Sequence, residues 1–375
     1  MIIGILKETG MEKRVALTPD LVAQCIKLNT SVLVESGAGK EAFFSDDAYE
    51  SAGAHIASRK EVYDQSGCIL TVTPPPASEM SEWQNGRILV GGLDPYNTKP
   101  LIDAMTNRRI TSFSLELLPR TTLAQSMDIM SSMATISGYR AVLEAACLLP
   151  RFFPMFMTAA GTVKPAKILI LGAGVAGLQA LATARRLGAI VEVFDVRSAV
   201  KEEVLSLGGK FVEVEGAKED TSAGGYAIEQ SGEFRQKQQE LIHQHASKSD
   251  VIICTAQIPG KPAPRLLNKA TVEAMAGGSV IVDLASATGG NCELTRNNEV
   301  VTHNGIAILG RSEYPSLMSL DASRMFGNNL MNFARLIITE NGLFPPWNDE
   351  IIQKSCLTHE GNLVNERIIQ FYSIQ

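Results

Sequence analysis

The run Lys167-Ile-Leu-Ile-Leu171 leads directly into Gly172-Ala-Gly174-Val-Ala-Gly177, and no other stretch limits the possible folds so sharply. Three glycines at G-x-G-x-x-G spacing lie between a β-branched run and a helical pattern through Leu178, Leu181, Ala182 and Leu187. That arrangement predicts a βαβ unit whose second strand ends on Asp195. Gly172 permits the tight turn, Gly174 lets the backbone approach a pyrophosphate, and Gly177 lets helix and strand pack closely. The helix start, at Val175 and Ala176, offers free N–H groups and a positive dipole end to phosphates. Asp195 falls roughly 20 residues on, where a carboxylate accepts hydrogen bonds from ribose hydroxyls. Its neighbours Val196 and Arg197 belong to the same candidate site. The carboxylate repels a 2′-phosphate and so favours NAD(H). Arg197 reads as a salt-bridge or ribose-edge residue, with a 2′-phosphate contact as the alternative.

A chain of 375 residues is long enough for two domains. Its net charge of −6 argues against a nucleic-acid partner. The six cysteines are scattered without C-x-x-C or zinc spacing, which predicts reduced thiols and no metal site. The N-terminus opens in a strand pattern, so no signal peptide is expected. The longest uncharged run, Ile168 to Ala184, contains the glycine turn and is shorter than the about 20 residues that span a bilayer.

Strand and helix patterns alternate along the first 115 or so residues and again from 168 to about 310. The expected fold is α/β, with two Rossmann-like, doubly wound parallel-sheet domains, the first of them discontinuous. Residues 1–125 and 320–375 form one domain and residues 135–310 the nucleotide domain. Helices within 120–149 and 322–339 cross between them, the former as one stretch from about Thr122 to Leu149. The segment Arg151 to Lys164 reads as mixed and apolar. The tail after the second crossing helix carries a turn at Glu360-Gly-Asn362.

Two further segments carry candidate chemistry. On a continuous helix Gln125, Asp128 and Ser131 share one face, which is either solvated or turned toward a ligand. Met127, Met130 and Met133 run along another line and read as core. The second segment, Asp220 to Ile228, holds Gly225 and Tyr226 in a connection of lid length, either a mobile cover or a plain surface loop. Thr255 and Gln257 open a proline-rich run at a strand's carboxyl edge, suited to a fixed wall beside a nucleotide.

Taken together, these segments resemble the NAD(H)-binding component (domain I, the alpha-1 subunit) of proton-translocating nicotinamide nucleotide transhydrogenase. The resemblance runs through Arg14-Val-Ala-Leu-Thr-Pro19, Ala124-Gln-Ser-Met-Asp128, Gly138-Tyr-Arg140, Gly172 to Leu178, Ile258-Pro-Gly-Lys-Pro262 and Gly289-Gly-Asn-Cys292. It implies a homodimer that binds NAD(H) and exchanges a hydride with NADP(H) on a second component, while a membrane-spanning proton-channel component moves protons. It also implies a cytoplasmic location, peripheral on the inner face of the membrane, and an enzyme incomplete without its partners. Arg120, Gln125, Ser126, Met127 and Asp128 then form the family's Arg-Gln-Asp loop. Arg120 and Asp128 hold its shape, Gln125 bonds between the nucleotides, and Ser131 orients the carboxamide. Gly225 and Tyr226 match the family's lid.

Alanine dehydrogenase is the related alternative, and a non-catalytic NAD-binding subunit is another. Amino-acid oxidation needs an acid/base group and a carboxylate clamp. Where alanine dehydrogenase carries lysine, histidine and aspartate, this chain has Thr73, Gly92 and Ala287. It departs from the transhydrogenase pattern at Thr121, Thr122, Gln257 and Ala287.

Overall fold

The computed structural model describes residues 1–214, 232–339 and 342–374. The chain forms two compact units, Met1–Met133 with Pro315–Gln375, and Ala134–Tyr314. Each is built on one mostly parallel sheet.

In the first unit the strands Ile2–Ile5, Ser31–Glu35, His55–Ala57, Cys68–Thr71, Ile88–Gly91 and Thr111–Ser114 are all parallel. Three lie on one side of the sheet and three on the other, so the order reverses between Ile2–Ile5 and Cys68–Thr71. These strands are near-continuous apolar runs because both faces are covered. Ile3, Ile5, Leu70 and Val90 enter one core, and Ile69 and Leu89 enter the other.

The C-terminal segment does more than carry a turn. Its strand Cys356–His359 adds antiparallel to Thr111–Ser114, and Asn362–Leu363 pairs back on it. Glu360 and Gly361 between them have φ of +48° and +84°. Two positive φ values in a two-residue loop match the twist of a hairpin.

The second unit repeats the layout. Lys167–Leu171, Ile190–Phe194, Lys210–Val212, Val251–Cys254, Val280–Asp283 and Ile306–Gly310 run parallel, and Val300–His303 closes one edge antiparallel. The order reverses between Lys167–Leu171 and Val251–Cys254. Ile168 and Ile170 pack into one core, Leu169 and Leu171 into the opposite one.

Several sequence expectations fail locally. The stretch expected as one helix from Thr122 is a 3-10 turn, Ala124–Met127, followed by the helix Ile129–Leu148. The break falls at Asp128, whose ψ of 94° is non-helical. Its carboxylate caps the helix, accepting from the Ser131 N–H at 2.9 Å and the Ser131 hydroxyl at 2.6 Å. Gln125, Asp128 and Ser131 therefore do not share one continuous helix face. The methionine line also breaks: Met127 is buried, whereas Met130 is half exposed. Within Arg151 to Lys164 a small hairpin pairs Phe156–Thr158 with Gly161–Val163. Ala77–Glu82 is a 3-10 turn, and the second long helix spans Ser319–Ile337. Among the described residues no helix is long and apolar enough to cross a membrane.

Candidate functional site

The second unit's reversal point is made almost entirely of backbone. Gly172 leaves the strand Lys167–Leu171 with φ of +109°, the left-handed region that side chains disfavour. A Cβ on Gly177 would lie 1.9 Å from the Gly172 carbonyl oxygen, so the helix Val175–Arg186 seats on the turn only because Gly177 has none. Gly174 differs from both. It is the N-cap of that helix, and a Cβ built there meets nothing within 4 Å. The open side of the turn is thus the side on which the first helical N–H groups are free of intrahelical partners. Val175 is exposed and Ala176 half-buried there. Underneath, Gly138 of the helix Ile129–Leu148 would place a Cβ 2.1 Å from the Ala176 carbonyl oxygen, so close packing fixes the turn from below.

Asp195 follows the strand Ile190–Phe194 and is buried. Its Oδ2 accepts from the Ala173 N–H at 2.7 Å, which ties the carboxylate to the glycine turn. Its Oδ1 accepts from the N–H and Nε of Arg197, both at 2.9 Å, and the Arg197 Nη2 reaches Oδ2 at 2.6 Å. Arg197 is therefore a salt-bridge residue, and the bond to Asp195 pushes its guanidinium pKa up. Val196 between them is partly buried against the core.

On the other side of the reversal point the Thr255 hydroxyl donates to the carbonyls of Gly172 at 2.9 Å and Leu171 at 3.2 Å. Gln257 is exposed, with Nε2 donating to the Leu284 carbonyl at 2.9 Å. The wall they begin is held by Asn291, which has no exposed surface. Its Nδ2 donates to the Ala256 and Pro264 carbonyls at 2.9 and 2.8 Å, and its Oδ1 accepts from the Ala256 N–H at 3.0 Å. Asp283, equally buried, accepts from the Ala285 and Cys292 N–H groups and the Thr295 hydroxyl. Burial raises its pKa against those bonds. Sequence reasoning assigns neither residue a role. Asn291 lies in the matched run Gly289 to Cys292, and an amide set in a glycine-rich loop is the one signal that points to it. Gly225 and Tyr226 lie outside the described residues.

The first unit's reversal point is built differently. Glu8 reaches across it, accepting from the Thr71 hydroxyl at 3.2 Å, the Val72 and Thr73 N–H groups at 2.6 and 3.1 Å, and the Thr73 hydroxyl at 2.5 Å. Glu116 does the same one loop away, accepting from the Leu93 and Asp94 N–H groups and the Ser114 hydroxyl. Burial pushes both carboxyls above their usual range, although these bonds oppose it. Arg14 is clasped by Glu12 through Nε at 2.8 Å and Nη2 at 2.7 Å. A Cβ on Gly92 would stand 2.6 Å from the Val72 carbonyl oxygen, so a histidine does not fit there without moving backbone. Thr73, committed to Glu8, offers no base.

The Gln125 loop belongs to this same unit. Ala124 and Met127 are buried in its core with Phe326 and Leu330, while Arg120, Gln125 and Ser126 are exposed. Asp128 is half-buried at the helix cap with Ser131 beside it. The structure thus brings Gln125, Ser126, Asp128 and Ser131 into one short segment. Met127 presents its side chain to the core.

The family description "Alanine dehydrogenase/PNT, N-terminal domain" matches residues 4–137, and "Alanine dehydrogenase/PNT, C-terminal domain" matches residues 141–366. An NAD(P) transhydrogenase subunit alpha protein from Rhodospirillum rubrum is 44% identical over 364 residues, covering 94% of this chain and 95% of that protein. The chain belongs to the transhydrogenase alpha-subunit family. The solved transhydrogenase structure from Sinorhizobium meliloti superposes with a TM-score of 0.89 at 41% identity, covering 97% of this chain and all of that one. Alanine dehydrogenase from Mycolicibacterium smegmatis is more distant, at 26% identity over 377 residues, covering 98% of this chain and 96% of that protein. That ranking agrees with the missing lysine, histidine and aspartate.

Proposed function

We propose that this transhydrogenase-family chain is the NAD(H)-binding subunit, with NADP(H) held on a separate component and protons moved by a membrane-spanning one. It acts as a homodimer, on the inner face of the cytoplasmic membrane through those partners, with residues 135–310 as the NAD-binding domain. The observation that carries the nucleotide assignment is Gly174, a helix N-cap whose Cβ position opens onto empty space beside unpaired helical N–H groups. The pyrophosphate sits there, and Asp195 receives the adenosine ribose hydroxyls. Gly172, Val175, Ala176, Gly177, Val196, Arg197, Thr255 and Gln257 line the same site. A carboxylate already paired with Arg197 does not welcome a 2′-phosphate, which assigns NAD(H) to this chain.

Hydride transfer between two nicotinamides moves H⁻ from C4 of one ring to C4 of the other, and no proton is abstracted. It requires alignment and exclusion of water, not a tuned acid or base. Arg120, Gln125, Asp128 and Ser131 supply alignment. Asp128 fixes the cap and pairs with Arg120, Ser131 accepts from the nicotinamide carboxamide, and Gln125 bonds between the two nucleotides. Ser126 and Met127 contribute backbone. The homodimer reading draws support from the uncharged run 152–163, which exposes Phe152, Met155, Phe156 and Met157.

The test is turnover with NADPH and the acetylpyridine analogue of NAD, with and without the NADP-binding component, beside alanine, pyruvate and ammonia controls. Turnover that requires the component is expected; oxidation of alanine by the chain alone contradicts the reading. Gln125→Asn is expected to slow transfer on the order of tenfold or more while moving NADH affinity less than about threefold.

A further inference from the structure

The helix Ser319–Ile337 carries Asn329 and Asn332, three residues apart and so on one face. Both side-chain amides end on the same atom. Asn329 Nδ2 donates to the Ser126 carbonyl at 2.8 Å and Asn332 Nδ2 at 2.9 Å. That carbonyl lies inside the 3-10 turn Ala124–Met127, immediately after Gln125. Asn329 is 7% exposed, and its Oδ1 is buried with no partner. Turning the amide over would set two oxygens against each other at Ser126, so the chemistry fixes its orientation. A buried amide that leaves its acceptor unpaired incurs a penalty, and what it secures here is a donor aimed at one carbonyl. Asn332 is steadied in turn by Arg335, whose Nη1 donates to its Oδ1 at 3.3 Å.

The turn needs such a restraint. Ala124 and Met127 anchor it from below by apolar packing, which is non-directional and leaves the peptide planes free to tilt. Two converging N–H donors fix the plane of the Ser126–Met127 peptide, and with it the direction from which Gln125 projects. We propose that Asn329 and Asn332 form a two-amide clamp on the Ser126 carbonyl that sets the pose of Gln125 for hydride transfer. They are positioning residues of that reaction, touching neither coenzyme, and the proposal rests on the role assigned to Gln125 above.

The test uses the isosteric changes Asn329→Asp and Asn332→Asp, singly and together, in the NADH-loaded chain assembled with its NADP-binding component. Transfer is expected to slow about tenfold in Asn329→Asp and further in the double variant, whereas the NADH dissociation constant moves less than about twofold. Asn332→Gln, which keeps an amide donor, retains most of the rate. In the Gln125→Asn background, Asn329→Asp adds little, because both changes remove the same alignment. Hydrogen exchange over residues 121–127 rises in the double variant and stays unchanged across the core strands. Equal slowing by Asn329→Asp with and without Gln125 overturns the proposal, as does unchanged exchange over 121–127. An unaltered rate in Gln125→Asn alone defeats the reading of Gln125, and the clamp's part in transfer with it; the exchange result still reports separately whether the clamp exists.

Discussion

The two sheets reverse their strand order in the same way, yet their reversal points are finished with opposite chemistry. In the second unit the edge is glycine backbone with an open N-cap at Gly174. In the first, Glu8 and Glu116 fill the edge with the chain's own carboxylates, and Glu12 occupies Arg14. In open α/β sheets ligands bind outside the carboxyl ends of strands at such a point. One topology therefore yields a candidate ligand site where the edge stays empty and a closed, self-bonded edge where side chains satisfy it. Fold alone does not settle which edge binds; the residues within a few positions of each strand end do.

Substitutions that treat the two edges as equivalent test this contrast. The largest effect belongs to Gly177→Ala. Its Cβ meets backbone at 1.9 Å and cannot be accommodated by a side-chain shift. NADH affinity is expected to fall about 100-fold, roughly 2.7 kcal/mol, with a clear loss of thermal stability. A variant that keeps both would show that helix and turn are not coupled. Glu8→Ala comes next and acts on stability only. It strands two backbone N–H groups and two hydroxyls, which costs about 2–3 kcal/mol, measurable by denaturant unfolding, and NADH titration should be unmoved. A matching drop in NADH affinity would mean the first edge is not closed off from ligand. Gly174→Ala has the reverse signature: with no clash to relieve, the melting temperature holds, while a methyl group in the path of the pyrophosphate weakens NADH about tenfold.

The smallest effect is the pH dependence of Glu8. Burial raises its carboxyl in the folded chain, so the folded chain holds that proton more tightly than the unfolded one. Its share of stability is then full below the ordinary carboxylate value of about 4.3 and is lost as pH rises through the folded value. The stability advantage of wild type over Glu8→Gln is expected to narrow as pH rises across that window. An advantage that widens would mean the bonds from Thr73 and Val72 outweigh burial.

The second edge is the more legible of the two in the sequence, and the reason is physical. Its turn is carried by glycines, whose spacing is local and whose meaning is steric. The strand runs are equally readable because burial on both faces leaves continuous apolar segments, as in Val251–Cys254 and Ser31–Glu35. What escapes is set by distant partners. Periodicity alone extends one helix back to Thr122, since it does not register that Asp128 is a better cap than a helical residue. The strand Cys356–His359 is marked only weakly, because it gains its ladder from Thr111–Ser114 on the far side of the sequence. Asn291, Asn329 and Asn332 are invisible for the same reason: a side-chain amide declares its role only when the carbonyl it holds is seen.

If this chain aligns a nicotinamide for direct transfer and contributes no acid or base, the hydride must never exchange with water. The most direct measurement is a single turnover in ordinary water with NADH deuterated at the transferring C4 position, the assembled NADP-binding component, and mass analysis of the NADPH formed. The prediction is that deuterium appears on the nicotinamide of NADPH with no loss to solvent. Label released to water, or NADPH formed without label, contradicts it.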